Sequence, residues 1–292
     1  MILVTGAKGF VGGYLLPLLG EQAVAAEADV RDAAAVEAEF RAVEPSAVVH
    51  LAALSSVGES WLQPVEIWRV NVLGTLHVLQ AAAPGTRILL ASTAEVYGRA
   101  EKLPASEDAA LAPVSPYGAS KAAAELACAP ARARGELEIV VTRAFNTEGP
   151  GRDERFAVGS WARQIAELEH AGGGTLHVGD LSAKRDIVDV RDASRAYASL
   201  VDPAVEGGTY NIASGRAVGM QHVLDVLLGL ARCEIRVEPD PERMRPVDLP
   251  ELWGDPSKLD AATGWKAEIP LEQTLADTLD YARETVSKTA RT

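Results

Sequence analysis

Tyr117 and Lys121 bracket the run Tyr-Gly-Ala-Ser-Lys after Pro116, a spacing that sets a phenol and an ammonium on one face of a helix. A neighbouring ammonium favours the phenolate. The pair is therefore expected to draw the Tyr117 pKa down from about 10 and make it a proton donor or acceptor near neutrality. That spacing also recurs by chance on helix surfaces. Its context comes from Ser92-Thr93, hydroxyls closing a strand-like run at the carboxyl edge, where open α/β sheets bind ligands. A third feature is Gly6-Ala-Lys-Gly9-Phe-Val-Gly12, directly between a strand-like and a helix-like segment. Small residues there let main chain approach a pyrophosphate at the positive end of a helix. The spacing is G-x-x-G-x-x-G rather than G-x-G-x-x-G, and the strand and helix on either side point to a bound dinucleotide.

These groups need a scaffold. Ile2–Thr5, Ala47–Leu51, Arg87–Ser92 and Leu137–Arg143 read as strands, with helices expected over Phe10–Leu19, Val65–Ala83 and Pro116–Arg134. Near-continuous apolar strands such as Ile139-Val140-Val141 suit a parallel sheet covered on both faces. The expected fold is α/β, a doubly wound parallel sheet of Rossmann type with a second, smaller α/β substrate lobe. After Arg143 the pattern loosens: helices at Phe156–His170, Ala193–Val201 and Met220–Ala231, and strands near Ile187–Val190 and Tyr210–Ile212, lie among glycine and proline turns. Residues 1–145 and 186–210 are assigned to the dinucleotide-binding domain, and 146–185 with 211–292 to the substrate lobe.

Composition narrows the function. The 292 residues are 48% hydrophobic and 24% charged, ordinary for a globular chain. The 28 basic and 41 acidic side chains leave −13, a field that repels nucleic acid and anionic lipid. Cys128 and Cys233 are too few and too distant for a disulfide framework. No basic leader precedes the first strand, and no run approaches the ~18 apolar residues of a membrane span, so a cytoplasmic protein is expected. His50, His77, His170, His177 and His222 lack metal-ligand spacing, and no metal is assigned.

The segment Glu21–Asp32 must complete the first βαβ passage in about a dozen residues. An acid ~20 residues past the glycines ordinarily binds the adenosine ribose. Asp29 and Asp32 lie about there without clearly ending a strand, so NAD and NADP both stay open. Asp29 can instead face the adenine, or Glu27, Asp29 and Asp32 can be solvated loop charges.

Taken together, Thr5-Gly6-Ala-Lys-Gly9-Phe-Val-Gly12, His50-Leu-Ala-Ala53, Asn71-Val-Leu-Gly-Thr75, Thr93, Tyr117 and Lys121 resemble the extended short-chain dehydrogenase/reductase family over nearly the whole chain. The resemblance implies that Thr93 orients the substrate oxygen, Tyr117 transfers the proton, and Lys121 supports the tyrosine and holds the nicotinamide ribose. It also implies a cofactor site of Gly6, Gly9, Phe10, Val11, Gly12, Asp29, Val30, Leu51, Ala52, Ala53 and Asn71 together with Tyr117 and Lys121.

Within the family, Ser55–Trp61, Arg143-Ala-Phe145-Asn146, Gly149-Pro-Gly151, Arg185–Asp192 and Arg245-Pro-Val-Asp248 look like nucleotide-sugar enzymes, with Ser56, Asn146, Arg185 and Arg245 implied as substrate contacts. A diphosphate wants cationic forks, which arginine supplies; Arg185 can equally pair with Asp186 or Asp189. The implied reaction is NAD(P)H-dependent reduction of the C4 ketone of a nucleotide-linked 4-keto-6-deoxyhexose, GDP-4-keto-6-deoxy-D-mannose to GDP-D-rhamnose foremost. Thr147 departs from the histidine usual after Phe-Asn. Thr93-Ala94-Glu95 matches a dehydratase pattern in which Glu95 removes a proton beside the ketone, so 4,6-dehydration or 4-epimerisation with a recycled cofactor is the second reading, and a non-catalytic cofactor sensor or scaffold the third. Trp61 and Trp68 can border a substrate cleft but read first as packing residues, and Cys128 reads as a small apolar helix residue. The helices Val65–Ala83 and Pro116–Arg134 are apolar enough for self-pairing, and the resemblance implies a homodimer.

Overall fold

Through the first half of the chain, β-branched runs and Ala/Leu-rich stretches each form the element that their period favours. The computed structural model describes residues 1–244 and 246–289. It begins β1 (Ile2–Thr5), α1 (Phe10–Leu19), β2 (Ala23–Ala25), α2 (Ala33–Val43), β3 (Ala47–His50), α3 (Val57–Leu62) and α4 (Pro64–Trp68). A π-helical turn over Arg69–Leu73 leads into α5 (Gly74–Ala81), then β4 (Arg87–Thr93), α6 (Pro116–Arg134) and β5 (Glu138–Ala144). The second half runs β6 (Asn146–Glu148), α7 (Ala157–Ala171), β7 (Gly174–Val178), β8 (Lys184–Arg185), β9 (Ile187–Asp189), α8 (Val190–Val201) and β10 (Thr209–Ile212). It closes with β11 (Val218–Gly219), α9 (Met220–Gly229), β12 (Ile235–Pro239), β13 (Glu251–Leu252), α10 (Ser257–Thr263) and α11 (Leu271–Thr289).

Six parallel strands form the main sheet in the order β10-β5-β4-β3-β1-β2. The order reverses between β1 and β3, which opens a crevice at their carboxyl ends, the usual ligand position in such a sheet. Leu3, Val4, Val48, Val49, Leu89, Leu90 and Val140 are buried, so both faces are covered. One face packs on α1, α8 and α10 through Leu15, Leu200, Leu259 and Trp265; the other packs on α2, α5 and α6 through Phe40, Val78 and Cys128. A second core joins α7, α9 and α11 through Trp161, Leu224 and Leu275. Short pairs, β7 with β12, β6 with β9, and β8 between β11 and β13, frame that lobe.

Several boundaries differ from the sequence reading. The expected single helix over Val65–Ala83 is two helices joined through the π turn. β9 pairs with β6 rather than with the main sheet, β10 runs on to Ile212, and Leu259 and Trp265 pack under the first core. The chain thus crosses between the lobes more often than a division at 186 and 211 implies.

Candidate active site

β1 ends at Thr5 and the chain turns through Gly6, whose φ is +69°. A Cβ on Gly6 would lie 2.6 Å from the Ala52 nitrogen and one on Gly12 would lie 2.6 Å from the Ala7 Cα, so the loop is pressed against the β3 exit and tolerates no side chains there. Gly9 caps α1 without a side-chain hydrogen bond, leaving the first amides of that helix to meet an anion. Gly6, Gly9, Phe10, Val11, Gly12, Leu51 and Ala53 line one cleft of about 820 Å³, and the cradle that its three glycines open fits the diphosphate of a dinucleotide.

Behind the cradle, a buried hydrogen-bond chain holds β3 to α5. Thr75 Oγ1 donates to the Asn71 carbonyl at 2.7 Å and so accepts from His50 Nε2 at 3.1 Å; His50 Nδ1 then accepts from Thr5 Oγ1 at 2.7 Å. Burial, reinforced by the Lys121 charge, pulls the His50 pKa down to about 3, so the imidazole is neutral and structural.

The reacting groups converge at the carboxyl end of β4. Ser115 caps α6 by accepting from the Gly118 amide at 3.0 Å, with Pro116 in the first turn, and this places Tyr117 at the cleft. Gly118 permits the approach, because a Cβ there would lie 2.8 Å from the Glu95 carbonyl oxygen. Tyr117 is 8% exposed and its hydroxyl hydrogen-bonds Thr93. One turn on, Lys121 donates to the Ala91 carbonyl oxygen at 2.7 Å. Thr93, Glu95, Tyr117 and Lys121 all line the cleft.

The electrostatics correct the sequence expectation for Tyr117. Burial pushes the phenol above its ordinary range, the Thr93 hydrogen bond opposes this, and the Glu95 carboxylate adds to the rise. The ordinary state of Tyr117 at neutral pH is therefore the protonated donor. Burial pulls the Lys121 ammonium down to about 8, opposed by the Glu125 carboxylate. Glu125 is held in turn by Ser92 and by a bidentate pair with Arg143.

Other expected residues fall into separate places. Asn71 does not line the cleft. Its side-chain amide accepts from the Leu54 N–H at 2.9 Å and donates to the Leu54 carbonyl at 3.0 Å, and so shapes the wall beside it. Ala52 lies behind the glycine turn, and Val30 packs under Gly74. Asp29 is gripped through both carboxylate oxygens by Arg31, which holds its pKa down to about 2, and Asp32 caps α2. Ser56 caps α3, and Ser56, Asn146 and Arg185 reach the cleft. Arg185 pairs with Asp248 at 2.5 Å and donates to the Leu249 carbonyl at 2.8 Å, while Asp186 accepts from Ser214 and Asp189 from Arg191. Arg245 lies outside the described residues.

Sequence reading missed Arg152. Its guanidinium stacks 3.5 Å from the Phe156 ring centroid and 5.0 Å from that of Phe10 in the glycine turn, with Glu148 at 3.3 Å behind it. It brings a cation from the second lobe over the dinucleotide cradle. The one available signal was the four-residue spacing of Arg152 and Phe156 just after the Gly-Pro-Gly turn.

The profile of the GDP-mannose 4,6 dehydratase family matches residues 19–278. The chain is 34% identical to GDP-6-deoxy-D-mannose reductase of Pseudomonas aeruginosa, with 94% of each chain covered. Among solved structures it superposes on RMD from Pseudomonas aeruginosa complexed with NADPH, with TM-score 0.87, 31% identity and coverage of 97% and 99%. It superposes also on Thermus thermophilus UDP-glucose 4-epimerase in complex with NAD, with TM-score 0.83, 29% identity and coverage of 97% and 98%. The glycine cradle, the Thr93–Tyr117–Lys121 constellation and these likenesses agree, and the chain belongs to the GDP-mannose 4,6 dehydratase family of extended short-chain dehydrogenase/reductases.

Proposed function

We propose that the protein is an NAD(P)H-dependent reductase of the C4 ketone in a nucleotide-linked 4-keto-6-deoxyhexose, foremost GDP-4-keto-6-deoxy-D-mannose, which it converts to GDP-D-rhamnose. The observation that carries this reading is the buried Tyr117 hydroxyl hydrogen-bonded to Thr93 in the same cleft as the glycine cradle. Gly9, Phe10, Val11 and Gly12 would hold the dinucleotide diphosphate from one side and Arg152 from the other, while Lys121 would hold the nicotinamide ribose. When bound, the reduced nicotinamide supplies hydride. Thr93 orients the ketone oxygen, and Tyr117 delivers its proton to the alkoxide as charge develops, so the donors stand where negative charge appears. Ser56, Asn146 and Arg185 would contact the nucleotide sugar, with Arg245 added by family resemblance.

The test is a panel of 4-keto nucleotide sugars with NADH or NADPH. Stoichiometric loss of reduced-nicotinamide absorbance, with a C4 alcohol identified by NMR, is expected. Glu95 supports the second reading: it lines the cleft and its charge raises the Tyr117 pKa, and in a dehydratase cycle it would remove a proton beside the C4 ketone. Conversion of GDP-mannose, or epimerisation, without added reductant would favour that reading. Nucleotide binding with no turnover across the panel would favour a sensor or scaffold.

The protein is further proposed to act as a homodimer in the cytoplasm. Leu62, Val65, Trp68, Leu73 and Leu126 are exposed on α3, α4, the π turn and α6, an apolar surface suited to a second copy. Among the described residues no helix is long and apolar enough to cross a membrane. The division into a dinucleotide domain and a substrate lobe is kept as a proposal, with α10 and Trp265 joined to the former.

A further inference from the structure

Helix α6 meets the end of β4 at three successive turns. Tyr117 reaches the Thr93 hydroxyl, Lys121 donates to the Ala91 carbonyl oxygen at 2.7 Å, and Glu125, four residues on again, accepts from the Ser92 hydroxyl. Three consecutive strand residues thus hold positions i, i+4 and i+8 of one helix face. The first two rungs belong to the reduction proposed above. The third has no part in it so far, and Glu125 does not line the cleft.

A carboxylate is expensive at this position. The Glu125 side chain is 7% exposed, as is that of Arg143, the β5 residue directly opposite Ser92, which grips it at 2.8 and 3.2 Å. Such a buried pair ordinarily gains little over apolar side chains of similar volume. What it does is fix a negative charge. Arg143 is itself fixed by donating to the Glu107 carbonyl oxygen at 2.9 Å and to the Tyr97 hydroxyl at 3.2 Å, and Tyr97 ends the turn that carries Glu95 after Thr93. One helical turn before Glu125 stands the buried Lys121 ammonium, whose drop to about 8 the Glu125 charge opposes.

Neighbouring ionisable groups are engaged elsewhere. Glu59 of α3 pairs with Arg155, Glu66 of α4 with Arg31 and Arg69, and Arg87 of β4 with Glu138 of β5. His77 of α5 bonds the Val30 carbonyl, Glu95 bears on Tyr117, and burial with the Lys121 charge keeps His50 of β3 neutral. Without Glu125, two cations would stand buried and uncompensated, and of the two only the lysine can release its proton.

We propose that Glu125 is a positioning residue for the reduction: locked by Ser92 and Arg143, its carboxylate seats α6 on β4 and keeps the Lys121 ammonium charged, so that Lys121 can support Tyr117 and hold the nicotinamide ribose. The inference rests on the reduction reading and deepens it by adding a residue that acts through Lys121.

The test reads Lys121 directly, by NMR of the full chain carrying ¹³Cε-lysine, with the signal assigned by its loss in Lys121→Met. The parent should titrate at about 8. Glu125→Gln keeps the shape and removes the charge, and it should lower the midpoint by about one to two units. Its kcat/KM should fall about two- to tenfold at pH 7, as Lys121 loses its proton, and recover toward the parent at pH 6. Glu125→Asp restores the charge on a shorter arm and should restore most of the midpoint. If Glu125→Gln fails to fold because Arg143 is left unpaired, Glu125→Gln with Arg143→Met removes both charges together and should move the midpoint in the same direction. A midpoint unmoved in the folded variants overturns the proposal, as does a loss of kcat/KM equal at pH 6 and pH 7, which would make Glu125 a structural tie alone. A midpoint that falls while kcat/KM holds removes Lys121, and Glu125 with it, from the reduction. If the parent reduces no ketone of the panel, the reduction reading fails, while the midpoints still decide whether Glu125 holds the Lys121 charge.

Discussion

Asn71 Nδ2 donates to Ser120 Oγ at 2.9 Å, and Ser120 Oγ passes the connection to the Tyr117 carbonyl oxygen at 2.7 Å. The π-helical turn over Arg69–Leu73 carries Asn71, so the extra residue in that turn contributes to the placement of the helix bearing the reacting phenol. Asn71→Ala would strand the Leu54 amide and carbonyl and one Ser120 contact. A stability loss of about 1–3 kcal/mol is expected, the range for buried polar groups left unpaired. Misplacement of Tyr117 should lower kcat by roughly a hundredfold. Urea unfolding and steady-state kinetics check the two effects; intact kcat in a destabilised variant would reduce Asn71 to a packing role.

Lys121 carries a cost that function imposes on the fold. Its folded pKa of about 8 lies below the ordinary lysine value of 10.5, so between those limits the unfolded chain binds more protons. The burial penalty is therefore full below pH 8, is relieved as pH rises through the window, and is gone above 10.5. Lys121→Met should stabilise the protein at pH 7 by about 2–3 kcal/mol, and this advantage should shrink toward zero by about pH 10. The same variant should lose activity. Paired denaturation curves at the two pH values test the sign, and a variant less stable than the parent at pH 7 would contradict it.

The central strands were legible because Ile2–Thr5, Ala47–His50 and Arg87–Thr93 are buried on both faces and therefore spelled in apolar, β-rich residues. β2 was not: Ala23-Val24-Ala25 is a short edge strand with little to distinguish it from the adjoining alanines. β7 and β12 owe their pairing to chain segments far apart in sequence, and the polar-rich α11 shows little of its buried stripe of Leu275 and Leu279. In the site, residue type and spacing foretold that Thr93, Tyr117 and Lys121 share one cleft. They could not foretell the sign of the Tyr117 shift, because burial outweighs its neighbours only once the cleft is built. Arg152 was hidden for a related reason, since its meaning lies in a stack against Phe10 from the other lobe.

The exposed apolar surface on α3, α4 and α6 gives the dimer a direct test. Leu62, Val65 and Leu126 are each about two-thirds or more exposed, and Trp68 is 44% exposed, on elements that follow one another in the chain or pack against α6. Leu126→Glu with Trp68→Glu should convert a dimer to a monomer of unchanged secondary structure, read by light scattering after size exclusion. A monomeric parent, or a dimer indifferent to both charges, would move the contact elsewhere.

Tyr117→Phe isolates the proton step from everything that builds the cleft. The ring remains to fill its place, while the hydroxyl that pairs with Thr93 is gone. General acid catalysis of this kind contributes about 10²–10⁴-fold, so kcat should fall within that range while nucleotide affinity stays within about twofold. Thr93→Val should give a smaller loss, about tenfold, because Tyr117 keeps its proton and loses only the partner that orients it. Burial is the largest effect holding the phenol protonated, so the parent's reduction rate should not fall between pH 6 and 8 through loss of the Tyr117 proton. Full turnover in Tyr117→Phe would assign the proton to another donor, with Glu95, whose charge acts on the phenol and which lines the same cleft, the first to test.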